Sequence, residues 1–336
     1  MSAVLDSLQQ GQQAILPAMR AALDRLDPIT RDIASYHLGW TDLDGNPTSG
    51  GGKAVRPALA LLSAEAAGAP PQCGLPGAVA VELVHNFSLL HDDLMDGDTE
   101  RRHRPTVWAA HGAASAILTG DALLGLAQEV LLEGEGPRAL PAARLLSEAI
   151  SELIKGQVLD VAFERRDYVK LDECLDMAAG KTGALLSASA AIGATLAGAP
   201  EGVVAALAAF GAHLGLAFQL VDDVLGIWGK PSRTGKPVFS DLRARKKTLP
   251  VTYSIAQGCA AGQELAAWLA REEAPGEAAL QHAAELVEVG GGRSWAVDEA
   301  NRRMVAGRQR LEEVEMPGRV RDELVSLAQF IVTREA

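Results

Sequence analysis

Residues 82–98 read ELVHNFSLLHDDLMDGD. The run before Asp92 is apolar with helical periodicity, and it ends in aspartates, of which Asp92 and Asp96 lie four residues apart. Residues with this spacing share one helix face, where two carboxylates repel each other and lower helix stability. A divalent cation offsets the repulsion, because Mg²⁺ prefers carboxylate oxygens and shares one or two of them with substrate phosphates. The pattern therefore predicts a helix with a metal site at its carboxyl end.

Arginines follow this helix at once, at positions Arg101, Arg102 and Arg104. Guanidinium groups bind phosphate oxygens through forked hydrogen bonds. Metal-binding acids and phosphate-binding bases this close together favour a metal–diphosphate site. The alternative for one such stretch taken alone is a charge-balanced helix end in solvent.

A second segment, residues 203–223, has the same layout. It is a long apolar run that ends in Asp222 and Asp223. Two such helices facing one another in a bundle would hold several Mg²⁺ ions, a diphosphate and, between apolar walls, a hydrocarbon tail. The residues alone therefore predict a bound diphosphate ester with an apolar tail. Basic residues follow here too, at Lys230, Lys236, Lys246 and Lys247.

Residues 203–221 are also long and apolar enough to suggest a transmembrane helix. A buried central helix is the better interpretation, because the segment contains His213 and Gln219 and runs directly into two aspartates. Adjacent carboxylates are unfavourable in hydrocarbon. We expect no membrane span.

A third basic stretch lies upstream, where Lys53 and Arg56 follow a glycine turn at the start of a predicted helix. Helix N-termini favour anions through free backbone N–H groups and the helix dipole. The stretch is a candidate metal-free diphosphate site. Taken alone, a glycine turn followed by two basic residues is usually just a helix start.

The rest of the chain predicts an all-α fold. Ala and Leu dominate, aromatic residues make up only 4%, and glycine- and proline-rich breaks separate segments of helical length. We find no βαβ alternation and no GxGxxG pattern, which excludes a dinucleotide-binding fold. The prediction is a single domain over residues 1–336, a helical bundle around a central apolar cavity.

Composition narrows the function classes further. The net charge of −12 argues against a general nucleic-acid binder. Cys73, Cys174 and Cys259 are too few and too widely spaced for a disulfide framework or a zinc site. The first residues lack the pattern of a signal peptide. We therefore expect a reducing, cytoplasmic compartment.

Together these residues resemble the trans-isoprenyl diphosphate synthases, the polyprenyl synthetase family. The resemblance spans about residues 50–250 and implies the all-α isoprenoid synthase fold. The motifs occur in the family's order: GGKxxRP from Gly51, HDDxxD from His91, GQxxD from Gly156, KTG from Lys181, FQxxDD from Phe218, and a GK…D…KKTLP pattern ending at Pro250.

The resemblance implies a reaction and a set of roles. An allylic diphosphate, held by Mg²⁺, loses its diphosphate to give an allylic cation, which the double bond of isopentenyl diphosphate attacks head-to-tail. Three ions are expected with bound diphosphate. The implied metal ligands are Asp92, Asp96 and Asp222, supported by Asp93 and Asp223.

The resemblance also implies which residues bind the two substrates. The allylic diphosphate is expected to be bound by Arg101, Lys181, Lys236 and Lys246. Isopentenyl diphosphate is expected to be bound by Lys53, Arg56, His85 and Arg102. Thr182 and Gln219 are expected to lie near the allylic cation.

Several of these assignments have alternatives. His85 is also consistent with a buried core histidine, and Gln157 and Asp160 with residues that only shape a helix interface. The second acidic motif departs from the family's usual DDxxD, because Gly226 stands at its last aspartate. We expect Asp222 still to bind the metal ion, although the residues around that metal site differ from those usual in the family.

The length of the product is expected to depend on the residues that line the apolar cavity just before the first aspartate, because a growing chain stops where its end meets a bulky side chain. We call these the wall residues. Phe87 lies five positions and Ser88 four positions before Asp92. In the family, an aromatic residue at the fifth position alone resembles geranylgeranyl (C20) synthases, so we expect C20 first and farnesyl (C15) next. The alternative is that Phe87 is simply core.

Two other functions fit parts of the pattern. A class I terpene cyclase shares the fold and an aspartate-rich motif, but the Lys53/Arg56 site would be needless there. A non-catalytic partner subunit would be expected to lack the first acidic motif, which is intact here. The resemblance also implies a homodimer.

Overall fold

A computed structural model describes most of the chain. Within the described ranges, the regular sheet is a hairpin of two-residue strands, β1 (Glu100–Arg101) and β2 (Arg104–Pro105), and almost all the rest is helix. The predicted all-α fold is confirmed. The described residues are 2–48, 54–134, 137–230, 237–271 and 273–332.

Sixteen α-helices are named here in chain order. A 3₁₀ turn, Pro71–Gly74, precedes α4, and a π-helical turn, Ala179–Gly183, joins α8 to α9. The helices are α1 (Ser2–Leu23), α2 (Pro28–His37), α3 (Val55–Ala66), α4 (Leu75–Asp96), α5 (Val107–His111), α6 (Ala113–Leu132), α7 (Ala139–Glu164), α8 (Leu171–Ala178), α9 (Ala184–Ala197), α10 (Glu201–Trp228), α11 (Ser240–Arg243), α12 (Leu249–Ala256), α13 (Ala260–Leu269), α14 (Glu277–Val289), α15 (Gly292–Glu312) and α16 (Gly318–Val332).

The chain divides into two compact units. Unit 1 comprises residues 1–150, 188–208 and 313–327, and unit 2 comprises residues 151–187, 209–312 and 328–336. The single domain that the sequence suggested stays a prediction, as does its central cavity.

In unit 1, α4 packs against both α3 and α6. Its apolar residues Leu83 and Leu90 are fully buried, which fixes the helix along its length. Small residues bring neighbouring helices close: a Cβ on Gly77 would lie within 2.8 Å of the Ile192 side chain. A helix held this firmly presents the residues at its carboxyl end in a defined orientation.

In unit 2, glycines let backbones meet around the π-helical turn. A Cβ on Gly215 would lie 2.5 Å from the Cα of Gly183, and one on Gly180 would lie 2.7 Å from the Glu152 carbonyl oxygen. Single π-helical turns inside longer helices are often found at functional sites. The turn carries the KTG motif, so the structure gives this motif a defined, closely packed backbone.

Three described helical segments are long and apolar enough to cross a membrane, judged by length and composition alone: residues 71–96, 113–132 and 201–228. In the last of these, half of the most apolar window is buried. The sequence singled out only this segment. The absence of a membrane span stays a prediction.

The three cysteines lead to a first testable prediction. Cys174 is fully buried and donates its thiol to the Lys247 carbonyl oxygen at 3.2 Å, whereas Cys73 and Cys259 are exposed. Burial raises the pKa of the Cys174 thiol well above its usual value, so its reactive thiolate is scarce at pH 8. We expect a thiol reagent such as DTNB to titrate two cysteines in the native protein and the third only in denaturant. Three fast thiols would contradict this, and Cys73→Ser should remove one fast equivalent.

Candidate active site

The first acidic motif lies at the carboxyl end of α4. The helix stops at Asp96 because Gly97 takes the left-handed conformation, with φ of 69°, that terminates helices. Asp92 and Asp96 are half-buried on one face, whereas Asp93 is only 2% exposed on another. The two accessible carboxylates are thus the pair that the spacing predicted.

The buried neighbour, Asp93, holds an arginine. Arg101 donates from Nε and Nη2 to Oδ1 of Asp93 at 2.7 and 2.6 Å. Burial raises the pKa of Asp93, and the adjacent Arg101 opposes that shift. The sequence suggested Asp93 as a supporting metal ligand; its observed contact makes it the residue that orients Arg101 beside the accessible pair.

A cluster of cationic side chains lies near the middle of α4. Arg56, Arg102 and Arg101 lie close enough to His85 to lower its pKa, although burial is the largest cause of that decrease. His85 is therefore neutral at physiological pH and can donate one ring N–H. The structure thus brings together three residues predicted to bind isopentenyl diphosphate, Arg56, His85 and Arg102.

One acid balances this cluster. Burial raises the pKa of Glu82, while Arg56 and Arg102 lower it. Asn86 fixes this glutamate by donating to its carbonyl oxygen at 2.8 Å and to its Oε1 at 3.2 Å. Sequence reasoning left Glu82 without a role, although an acid one helical turn before His85 on an apolar helix was the available signal.

Arg101 and Arg102 lie on the β1–β2 hairpin, whose two-residue turn is Arg102–His103. Both turn residues have positive φ, 53° and 60°. Tight hairpin turns require this conformation, which favours Gly or Asn and is unfavourable for other residues. A cavity of about 240 Å³ beside the hairpin is lined by arginines, by His37 and by Asp93.

We predict that His103→Gly stabilises the protein. Glycine adopts the left-handed turn without the steric conflict of a Cβ, and the gain is about 1 kcal/mol after the greater freedom of the unfolded chain is included. Thermal unfolding should show a higher Tm. As a control, His282→Gly places glycine inside α14 and should lower stability by about 1 kcal/mol. A lower Tm for His103→Gly would contradict the argument.

The second acidic motif, in unit 2, ends a chain of hydrogen bonds. Thr182 Oγ1 donates to Gln219 Oε1 at 2.7 Å, and Gln219 Nε2 donates to Asp223 Oδ1 at 2.7 Å. The other oxygen of Asp223 accepts from the backbone N–H of Leu249 at 2.8 Å, at the start of α12. Asp223 is thus a buried anchor, and the exposed carboxylate of the pair is Asp222.

The electrostatics of this pair favour a cation. Burial, with Asp241 as the next cause, raises the pKa of Asp223 to about 8. A positive ion nearby would lower that pKa again and stabilise the ionised form. The accessible oxygen donor of this pair is the Asp222 carboxylate, a ligand type that hard divalent cations prefer.

The π-helical turn also positions Lys181. Its Nζ donates to Asp160 Oδ2 at 2.6 Å, and both side chains are about three-quarters buried. The KTG and GQxxD motifs are therefore joined by an ion pair. This contact gives Asp160 a function that the sequence left open, namely holding Lys181.

The glycine at the end of the second motif has a structural explanation. A Cβ on Gly226 would lie 2.5 Å from Cγ of Asp241, so the Asp241 carboxyl group occupies the space of a side chain at position 226. Ser240 Oγ donates to the Gly226 carbonyl oxygen at 3.1 Å, which fixes the segment against α10. Position 226 therefore carries no acid, and the Asp241 carboxyl group lies in the space that a side chain there would need.

The remaining candidate residues are placed as follows. Phe87 is 6% exposed, with its ring edge-on to His91 at 4.8 Å between centroids, and Ser88 Oγ donates to the His85 carbonyl oxygen at 2.7 Å. The backbone N–H of Lys246 donates to the Asp241 carbonyl oxygen. Lys53 and Lys236 lie outside the described residues.

Among the described residues, no three His, Cys, Asp or Glu side chains are grouped to hold a metal ion by themselves. Mg²⁺ commonly takes one or two carboxylates and completes its shell with substrate phosphates and water. The accessible pair Asp92 and Asp96 fits that kind of site.

Comparison with known proteins identifies the family. Residues 45–287 match the family described as polyprenyl synthetase. The chain belongs to the polyprenyl synthetase family. A (2E,6E)-farnesyl diphosphate synthase of Mycobacterium tuberculosis is 56% identical over 336 residues, covering 99% of this chain and 94% of the relative. A geranylgeranyl diphosphate synthase of the same organism is 43% identical over 323 residues, covering 95% and 91%. A crystal structure of polyprenyl synthetase from Streptomyces coelicolor A3(2) has a TM-score of 0.94 at 52% identity, covering 98% of this chain and 100% of that chain.

As a polyprenyl synthetase, the protein is a trans-prenyltransferase that makes a short-chain prenyl diphosphate. The family uses divalent metal ions to bind diphosphate. The predicted family and enzyme class are confirmed. The roles of individual residues stay predictions.

Proposed function

We propose that this polyprenyl synthetase condenses isopentenyl diphosphate head-to-tail with an allylic diphosphate, with Asp92, Asp96 and Asp222 as ligands of Mg²⁺. Bound Mg²⁺ would supply Lewis-acid charge that stabilises the departing diphosphate. The observation that carries the proposal is the accessible pair Asp92 and Asp96 at the end of α4, with Arg101, a guanidinium fixed by the buried Asp93, close enough to Asp92 to interact with it. Such an arrangement suits a metal-bound diphosphate.

The cationic residues bind and orient the two diphosphates. Arg101, held by Asp93, donates to the allylic diphosphate, as Lys181 does from its ion pair with Asp160. Arg56, Arg102 and neutral His85 hold isopentenyl diphosphate. Lys53, Lys236 and Lys246 complete the two sets by resemblance to the family.

Bond formation takes three balanced steps. The allylic C–O bond breaks and its electron pair leaves with the diphosphate. The double bond of isopentenyl diphosphate then forms the new C–C bond, and a proton is lost to the departing diphosphate. The oxygens of Thr182 and Gln219 stabilise the cation, since their hydrogen bonds to each other and to Asp223 fix their dipoles in advance.

The direct experiment supplies Mg²⁺, isopentenyl diphosphate and one allylic starter at a time, and measures diphosphate release and product carbon number. We expect turnover with dimethylallyl and geranyl diphosphates and none after chelation of the metal. Hydrocarbon formed from geranylgeranyl diphosphate without isopentenyl diphosphate would support the cyclase alternative. A chain that is inactive alone but shifts a partner synthase's product would support the subunit alternative.

We propose geranylgeranyl diphosphate as the end product. Phe87 supplies one bulky buried ring a turn before Asp92, and Ser88 leaves space where a second ring would block the chain. Farnesyl diphosphate is the second candidate, favoured by the relative that is 56% identical and named for that product. Elongation passes through C15 in either case, so acceptance of farnesyl diphosphate as a starter distinguishes the two.

The wall residues give a prediction on product length. Phe87→Ala should lengthen the products beyond the wild-type limit by at least one five-carbon unit, and Ser88→Phe should shorten them, because each changes the space for the chain end. Chromatography of dephosphorylated products measures both. Phe163→Ala, a buried phenylalanine in unit 2, serves as a control that should lower stability by about 3 kcal/mol without changing product length. Unchanged lengths in both wall variants would show that length is set elsewhere.

We also propose a homodimer in a reducing, cytoplasmic compartment. Helix α6 exposes large apolar side chains, Leu118 at 66% and Leu132 at 55%, and Leu140 at the start of α7 is 63% exposed. A dimer interface along α6 would remove these apolar side chains from water. The described cysteines are unpaired, which suits a reducing compartment. Light scattering of the purified chain measures the oligomeric state.

A further inference from the structure

The β1–β2 hairpin carries Arg101 and Arg102 but has little stability of its own. It consists of two two-residue strands joined by a turn in which both residues have positive φ. An isolated two-stranded hairpin is marginal in water even when its strands are longer. Contacts from outside the hairpin must therefore set its position.

One side of the hairpin is held by the Asp93–Arg101 ion pair described above. The other side is held by α2. Tyr36, which is 5% exposed, donates its hydroxyl to the Pro105 carbonyl oxygen at 2.7 Å. The guanidinium of Arg104 lies 4.3 Å over the Tyr36 ring. A stacked arginine and a buried hydroxyl thus fix the second strand to this helix.

Arg104 makes one more contact, with the loop after α2. Its Nη2 donates to the Thr41 carbonyl oxygen at 2.6 Å. This loop is itself ordered, since the backbone N–H of Thr48 donates to the Trp40 carbonyl oxygen at 2.9 Å. In the sequence, the loop leads directly towards Lys53 and Arg56. Arg104 therefore ties the hairpin to the segment that precedes two further residues assigned to isopentenyl diphosphate, Lys53 and Arg56.

We propose that Tyr36 and Arg104 are positioning residues for isopentenyl diphosphate binding, acting through the orientation of Arg102 on the hairpin. The inference rests on the proposed function. Tyr36 acts without contacting substrate, and its own substitution by Phe leaves every charge in place. An effect of Tyr36→Phe on binding therefore separates positioning from a direct electrostatic contribution of Arg104.

The test measures KM and kcat for isopentenyl diphosphate at saturating allylic substrate, together with the Kd of isopentenyl diphosphate alone by calorimetry. Tyr36→Phe removes one hydrogen bond, and we expect KM and Kd to rise about fivefold while kcat changes less than twofold. Arg104→Met should raise both by about tenfold or more, and Arg104→Lys, which keeps the charge and can still reach the Thr41 carbonyl, should recover part of the loss.

Matched controls lie in unit 2. Tyr253→Phe changes a tyrosine that stacks on Trp295, and Arg166→Met removes an arginine that lies over Phe163 and pairs with Glu173. Both should leave KM and Kd unchanged. A lower Tm for Tyr36→Phe and Arg104→Met with unchanged KM and Kd would overturn the inference, as would a fall in kcat alone. A wild-type chain without condensation activity would instead overturn the proposed function.

Discussion

Asp92→Asn is expected to lower kcat by about a thousandfold and to leave Tm close to the wild-type value. The catalytic loss follows from removing one of two carboxylates available to the metal at the end of α4, where a ligand is worth several kcal/mol of transition-state stabilisation. The effect on stability is small because removing the repulsion with Asp96 one turn away, about 0.2–0.5 kcal/mol, is offset by losing the attraction between Asp92 and Arg101. A large loss of activity with little change in stability is the signature of a metal ligand that the fold itself does not need.

The measurement combines steady-state kinetics, thermal unfolding and calorimetric titration of Mg²⁺ in the presence of diphosphate. Metal affinity should fall together with kcat. Asp176→Asn on α8 changes an exposed aspartate of the same length and should leave all three quantities near wild type. Turnover within tenfold of wild type for Asp92→Asn would remove this residue from the metal site.

The fold was predictable because its determinants are local. Helical periodicity and glycine or proline breaks act within one element, so α4 and α10 appear in the sequence with their acidic ends already visible. The spacing of Asp92 and Asp96 is equally local. These parts of the candidate site needed no knowledge of packing.

The hydrogen-bond partners of the inner carboxylate in each aspartate pair were not predictable. Adjacent residues point about 100° apart on a helix, so one carboxylate of each pair turns inward and the other outward. Which one turns inward depends on the neighbours that tertiary packing supplies. In the structure, Arg101 donates a hydrogen bond to Asp93, and Gln219 and the backbone N–H of Leu249 donate hydrogen bonds to Asp223. The resemblance implied Asp92 and Asp222 as metal ligands with Asp93 and Asp223 in support, but no sequence pattern named the partners of the two supporting carboxylates.

Contacts between residues far apart in the chain also could not be predicted from the sequence. Tyr36 and Pro105 are 69 residues apart, and Lys181 and Asp160 are 21 residues apart. No local pattern links such partners, because their proximity is a result of helix packing. The same holds for Gly226 and Asp241, whose relationship changes the interpretation of the second motif.

Gly226→Asp, which restores the family's usual motif, is expected to harm this enzyme. The new side chain would compete with the Asp241 carboxyl group for the same space, and it would add a charge beside Asp223, whose pKa is already raised. Overpacking of this kind lowers stability by about 2 kcal/mol. We expect a lower Tm and a kcat reduced by about tenfold or more, measured by unfolding and steady-state kinetics.

A double variant shows whether the Gly226→Asp defect comes from steric overlap with Asp241 or from the added charge. Gly226→Asp combined with Asp241→Gly moves one carboxylate from α11 to α10 and removes the overlap, so Tm and kcat should recover in part, as a favourable coupling in a double-mutant cycle. Gly202→Asp is the matched control on the same helix, since a Cβ there meets nothing within 4 Å and an acid near the start of α10 is favourable. Wild-type activity and Tm for Gly226→Asp alone would mean that Asp241 moves aside freely, and the occupied space would then not be the reason for the glycine.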